Sequence, residues 1–276
     1  MAAIRGVRAR AREELTREIK REARRQLALT GAQQLSLRAV ARELGMASSA
    51  LYRYFPSRDD LLTALVVDAY TDLAEAVERA VAAAVPAADA GARSEQALGT
   101  RADQALGTRA DQALGARPRW RAACLAVRRW GRANPHEYAL IYGAPVPGFT
   151  APARIAPVAA RIPAALLGVL RTAGGRLEAG PGPGPGPGQS QAGPGRRPGP
   201  QYAAQLGRLA AQYAPELPPA AVARVLVAWT QLFGMVGFEL FGQLAVAAQS
   251  DEEFFVHSVE QMADFLGLPQ ARESAA

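Results

Sequence analysis

Leu35-Ser-Leu-Arg-Ala-Val-Ala-Arg-Glu-Leu-Gly-Met-Ala-Ser-Ser-Ala-Leu-Tyr-Arg-Tyr-Phe-Pro-Ser-Arg-Asp-Asp-Leu-Leu62 decides the fold of this chain. Ser36 stands ahead of Leu37, Val40, Ala41 and Leu44, the i, i+3, i+4, i+7 spacing of a short amphipathic helix. Ser36 suits the N-cap and Gly45 the stop. A second short helix is predicted over Ser48–Phe55 and closed by Pro56. Leu51 and Phe55 share one of its faces, and Ser48, Ser49, Tyr52 and Arg53 lie off it. Short helix, tight turn and second helix over 36–55 are the anatomy of a helix-turn-helix. The apolar positions lock the pair together. The off-face hydroxyls and arginine are the types that bond phosphate oxygens and base edges.

The flanks extend the pattern. Upstream, Leu15, Ile19, Ala23 and Leu27 recur every four residues up to Gly31, one stripe of a helix. Downstream, Ser57 caps a helix with Asp59 and Asp60 in its first turn, where carboxylates meet the positive end of the helix dipole. Leu61, Leu65, Ala69, Leu73 and Val77 carry it to about residue 84. Charge follows the same division. Residues 1–60 hold 13 basic and 7 acidic side chains, whereas the other 216 hold 19 and 18. Nearly all of the formal +7 belongs to the first sixty residues, which suits a polyanionic partner.

Two segments break the texture beyond that point. Gln96–Asp103 recurs as Gln104–Asp111 and begins again at Gln112, a period of eight, shorter than solenoid repeats. Gly180–Gly188 alternates strictly with proline, which excludes helix and buried strand and misses the collagen period of three. Low-complexity insertions are therefore expected at about 87–116 and 176–200. Around them, helices are predicted over 118–134, 135–143, 154–174, 202–213, 218–246 and 251–267, and no segment alternates as a strand does. The fold class expected is all-α, with a helix-turn-helix domain at 1–57 and a helical domain at 58–276.

Composition narrows the function. A single cysteine, Cys124, excludes an intrachain disulfide, and with only His136 and His257 no metal cage is expected. No Ser-His-Asp set or phosphate loop is visible, so no enzyme and no cofactor is expected. Cys124 is expected to be buried, His136 to sit at a helix start and His257 to be exposed. The longest strongly apolar uncharged run, Val225–Phe238, has 14 residues, short of the ~20 of a membrane span. With no apolar leader near Met1, a cytoplasmic protein without membrane association is expected.

The 35–62 stretch closely resembles the DNA-binding signature of the TetR (tetracycline-repressor-like) family of bacterial regulators. Small residues, then Leu51-Tyr52-x-Tyr54-Phe55, a basic residue at 58 and Leu61 form a long and specific pattern. By that resemblance the DNA contacts are Ser36, Ser48, Ser49, Tyr52, Tyr54 and Arg58. Ala47 replaces a serine found in many members, and Arg58 replaces a frequent lysine. More weakly, Arg129-Trp130-x-x-x-Asn134-Pro135-x-x-Tyr138 and Ala228-Trp229…Phe233-Gly234 are similar to the C-terminal domain of a subgroup named for a Trp-His-Gly signature, with Phe233 at the His position.

The resemblance implies a ligand-responsive regulator, usually a repressor, that binds a palindromic double-stranded DNA operator as a homodimer. An activator and a nonspecific architectural DNA binder are the alternatives. It also implies a cavity for a small-molecule effector, whose candidate lining is Trp120, Trp130, Tyr138, Tyr142, Trp229 and Phe233. The predicted helix 218–246 is apolar nearly all round, so one side needs a partner. Val227, Met235, Phe238 and Phe241 on it, with Phe254 and Met262 on the final helix, are the expected dimer interface. Gly234, Gly237 and Gly242 are read as close-approach positions within it.

Overall fold

A computed structural model describes residues 2–84, 115–173, 199–244 and 251–270. Both predicted insertions fall almost wholly outside the described residues. The elements are α1 (Ala2–Thr30), α2 (Leu37–Glu43), α3 (Ser48–Tyr52), α4 (Arg58–Ala83), α5 (Ala116–Ala133), α6 (Pro135–Tyr142), α7 (Ala156–Ala159), α8 (Arg161–Thr172), α9 (Pro200–Tyr213), α10 (Pro219–Leu240) and α11 (Asp251–Leu266). No strand occurs among the described residues, and the fold is all-α as expected. The chain forms two compact units. One joins Met1–Leu73 to Trp130–Ala160, and the other joins Ala74–Arg129 to Arg161–Ala276. Two of the divisions fall inside helices, within α4 and within α5.

In the first unit the period-four stripe of α1 does what its spacing predicts. Ile19, Ala23 and Leu27 are buried against Leu37, Val40, Ala41, Leu51, Phe55, Leu61 and Leu65. Gly31 ends α1 at φ 79°, a backbone region that favours glycine, and its N–H donates to the Leu27 carbonyl at 3.0 Å. The Ser36 hydroxyl accepts from the Ala39 N–H at 3.4 Å, a long capping bond. Ser57 Oγ accepts the Asp60 N–H at 3.0 Å and donates to the Asp60 carboxylate at 2.7 Å, which starts α4. A surprise is the company this core keeps. Leu140, Val146 and Phe149, from α6 and the loop after it, pack against it.

In the second unit α10 packs on α8, α9 and α11. Its core side is Val222, Val225, Leu232, Phe233 and Val236, as the periodicity implies. Three boundaries differ from expectation. Helix α3 ends at Tyr52 instead of Phe55, with the Tyr54 and Phe55 N–H groups both turning back to the Leu51 carbonyl. The stretch 154–174 is broken into a 3-10 turn, α7 and α8. Pro157 and Pro163 lie in the first turns of these two helices, the positions where a missing N–H costs nothing. Helix α10 stops at Leu240 instead of 246. Gly242 lies at φ 75°, and the Gln243 N–H reaches back to the Phe238 carbonyl at 2.8 Å. That is a helix-ending bond pattern, so Gly242 terminates the helix and is not a close-approach position within it.

Two helical stretches, Ala153–Thr172 and Pro219–Leu240, are long and apolar enough to cross a membrane by length and composition alone. The uncharged-run criterion missed them because each tolerates up to two charges. Of their apolar windows 33% and 44% is buried inside the protein, and α8 and α10, which lie in these stretches, pack on each other.

Candidate nucleic-acid interface

The three-helix frame presents a polar surface around α3. Ser48 and Ser49 open the helix and are exposed, Tyr52 is 42% exposed, and Arg53 follows it in solvent. Leu51 is fully buried beneath them, so the helix is held by the side opposite its polar groups. Ala47 stands at the N-cap and supplies no side-chain bond, so the first N–H groups of α3 have no capping oxygen from it. Ser36 is half-buried as the cap of α2.

Besides Ser36, two residues of the predicted set have partners in the protein. The Tyr54 ring carries the Arg12 guanidinium 5.2 Å from its centre. Arg58 turns inward: Nη2 donates to the Ala32 carbonyl at 2.8 Å and to that of Gln33 at 3.3 Å, and Nε to that of Leu35 at 3.2 Å. These carbonyls belong to the turn between α1 and α2. Arg58 thus ties the start of α4 to that turn, work that its planar fork suits better than a lysine ammonium would.

Behind this surface lies an ion network that the sequence did not announce. Lys20 and Arg24 of α1 both pair with Asp68 of α4 at 2.7 Å, and Arg24 Nε also meets Glu137 of α6 at 2.8 Å. Burial pushes the Glu137 carboxyl above its ordinary value and Arg24 pulls it back only in part, with Asp72 and Asp68 adding to the upward push. Residues 130–160 therefore help to build the unit that carries the helix-turn-helix, through Glu137 as well as Leu140, Val146 and Phe149. Nothing in the local pattern of 130–160 marks this, because the partners lie about seventy residues or more away.

The six aromatics expected to line one cavity do not share a unit. Trp130, Tyr138 and Tyr142 are in the first, and Trp120, Trp229 and Phe233 in the second. Tyr138 is fully buried and stacks at a tilt on Tyr142, 5.2 Å between ring centres. Tyr70 meets Tyr142 edge-on at 5.9 Å, and burial with these neighbours pushes the Tyr142 phenol far up. Trp120 is fully buried, its Nε1 donating to the Val259 carbonyl at 3.2 Å. Trp229 and Phe233 meet edge-on at 6.1 Å, and the buried Trp229 Nε1 has no acceptor among the described residues. A cleft of about 350 Å³ in the first unit is lined instead by Leu27, the 30–34 turn, His136, Leu140 and the 144–146 loop. Cys124 is fully buried, and burial first, then Glu260, pushes its thiol well up. His136 and His257 are exposed.

The expected interface residues also divide. Val227, Phe238, Phe241 and Phe254 are exposed large apolar side chains, Phe238 by 53%, and Met235 is half-buried. Met262 is 1% exposed and belongs to the core of its own unit, as do Phe255 and Val259. The three-to-four spacing of the final helix runs round two faces, and Met262 falls on the inner one. Beneath this surface Arg128 of α5 is 3% exposed. It grips Glu239 with two bonds of 2.7 and 3.0 Å, donates to Glu252 at 2.5 Å and lies 4.8 Å from the Phe255 ring centre. Burial opposes its charge, but these carboxylates outweigh it and hold the guanidinium above its ordinary value.

A polar-faced helix-turn-helix on a helical body defines a DNA-binding regulator. Comparison with known proteins agrees. Residues 19–65 match the family described as bacterial regulatory proteins, tetR family, and residues 120–262 match the tetracyclin repressor-like, C-terminal domain. The second match alone covers more than half of the chain, which belongs to the TetR family of helix-turn-helix transcriptional regulators. It stands at the level of that C-terminal domain, coarser than the Trp-His-Gly subgroup. HTH-type transcriptional regulators Rv1816 of Mycobacterium tuberculosis and Mb1846 of Mycobacterium bovis are each 42% identical over 158 residues, 57% of this chain. The match spans 56% of the length of those relatives. The crystal structure of a regulatory protein designated SCO4313 superposes with a TM-score of 0.62 at 28% identity, over 92% of this chain and 97% of that one. A Rhodococcus sp. RHA1 protein of unknown function shares the fold, with a TM-score of 0.57 at 21% identity over 93% and 95% of the two chains.

Proposed function

We propose that the protein is a cytoplasmic, ligand-responsive repressor that binds a palindromic double-stranded operator as a homodimer. The observation that carries this reading is the exposed polar set on α3, Ser48, Ser49, Tyr52 and Arg53, held rigidly from beneath by buried Leu51. Two such heads enter successive major grooves, about 34 Å apart. Ser36 and Tyr54 add backbone contacts, and Arg58 contributes chiefly by shaping the α1–α2 turn. Residues 1–57 are the DNA-reading portion in this scheme, and 58–276 the responding one.

The second copy covers the exposed face of Val227, Phe238, Phe241 and Phe254, large apolar groups that water alone leaves unsatisfied. The effector binds beside Trp229 and Phe233, where the orphaned indole N–H seeks an acceptor. An effector that favours a conformer with the wrong head spacing releases the operator by population shift.

Fluorescence anisotropy on a duplex selected by the protein from a random pool tests the core of this reading. Tyr52→Ala should weaken binding without lowering the melting temperature, because the ring is at the surface. Unchanged affinity, or a parent protein that selects no duplex, refutes it.

A further inference from the structure

Among the described side chains of α1 ahead of Leu15 none is buried. Val7 is 63% exposed, and every residue from Ala9 to Glu14 is exposed. A helix segment with so little packed against its own unit needs another reason to exist. Its charge is one-sided: Arg5, Arg8, Arg10 and Arg12 precede the first acid, Glu13. Arg8 and Arg12 stand four apart, a spacing at which like charges oppose the helix. Arg5, Arg8 and Arg12 also fall at i, i+3 and i+7, on one side of the helix register.

Arg12 shows where this segment is attached. Its guanidinium lies over the Tyr54 ring, and Nη2 donates to the Arg53 carbonyl at 3.5 Å. Both partners sit at the exit of α3, so the charged segment joins the protein beside the surface that carries Ser48, Ser49 and Tyr52. From Arg12 back to Ala2 the backbone stays helical. From Arg12 to Arg5, seven residues at a rise of ~1.5 Å each carry the charge about 10 Å further. Along duplex DNA that length passes several phosphates on each strand.

We propose that Ala2–Arg12 of α1 is a second DNA-binding element, which lies on the phosphate backbone outside the half-site read by α3, with Arg12 as its joint. The proposal rests on the DNA-binding reading above. The segment reads no base, so it lengthens the footprint and steepens the salt dependence without changing the preferred sequence.

The test uses the full chain and the triple variant Arg5→Ala, Arg8→Ala, Arg10→Ala. Affinity is measured over a salt series on two duplexes, both built on the parent-selected sequence. One ends flush with the half-sites, and the other carries ten further base pairs on each side. The parent should prefer the long duplex, and the variant should bind both alike. On the long duplex the variant's log–log salt slope should be shallower by about 2 to 3 per head, at ~0.9 for each phosphate no longer neutralised. The lysine triple Arg5→Lys, Arg8→Lys, Arg10→Lys should keep the parent slope, which separates charge from helix formation. Equal slopes and equal preference in parent and alanine variant, with operator binding intact, overturn the proposal and leave the α3 reading standing. A parent that binds neither duplex overturns both.

Discussion

The two units of the chain differ in what each puts at its surface. Around α3 the surface is hydroxyl and arginine and the inside is aliphatic: Ser48, Ser49 and Arg53 outside, Leu51, Val40 and Ile19 inside. In the second unit large aromatics and a valine face outward, and charges lie within. Phe238, Phe241, Phe254 and Phe265 are exposed, whereas Arg117 and Arg128 are buried with carboxylate partners. A surface that meets a polyanion and water keeps its charge outside. A surface that a second apolar face covers puts its greasy groups there, and any charge beneath must bring its own counter-charge. Under the proposed function the difference matches a polyanion at the first unit and a second copy of the chain at the other.

The sharpest way to break this contrast is at the buried charge. Arg128→Ala removes the counter-charge from Glu239, which is itself only 10% exposed as a side chain. Loss of one partner of a buried pair should cost about 3–5 kcal/mol of stability in a urea melt. The double variant Arg128→Met, Glu239→Leu should recover most of it. If the single variant melts like the parent, the network does not hold α5 to α10.

Next in size is the apolar surface. Phe238→Arg should give monomer in light scattering and cost about 10²-fold in operator affinity, since the second half-site is then no longer held by the same particle. Retention of the dimer moves the interface away from α10. On the head, Arg58→Ala should cost about 1–2 kcal/mol by stripping three carbonyls of their charged donor. Its operator affinity should fall along with stability, and a full-size affinity loss at unchanged melting temperature would instead place Arg58 on phosphate. Ser36→Ala should cost less, up to about 1 kcal/mol, because the capping bond is long.

The smallest effect concerns pH. Glu137 has its carboxyl raised above 4.5, so the folded head binds this proton more tightly than the unfolded chain does. Its contribution to stability is largest at low pH and falls as pH rises from 4.5 through the raised value. Glu137→Gln should flatten the stability curve in that window and change stability at neutral pH by less than about 1 kcal/mol. A steeper fall in the variant reverses the sign and makes Arg24 the dominant influence.

What was readable in the residues by themselves is most of what local spacing sets. Period-four stripes, caps and stops placed α1, α2, α4 and the start of α3, and the motif from Leu35 to Leu62 carried the family, because a helix's faces and most of its ends are written within a few residues of one another. Which side of an apolar helix is inside is a different kind of fact. Met262 and Phe254 look alike in the sequence, yet one is core and the other surface, since only the packing of α11 on α10 distinguishes them. The same holds for Gly242, a packing glycine by composition and a helix stop by its φ. Arg58 is similar: the motif puts it on DNA, and the carbonyls of Ala32, Gln33 and Leu35 claim its donors once the α1–α2 turn arrives beside it. The six aromatics were grouped by residue type and were parted by topology, as the chain returns at Trp130 to complete the head that α1 to α4 began. Except for Gly242, whose stop is a local bond from Gln243 to Phe238, these points depend on groups brought together from distant positions, where burial and charge pairing depend on distance in space and not on separation along the chain.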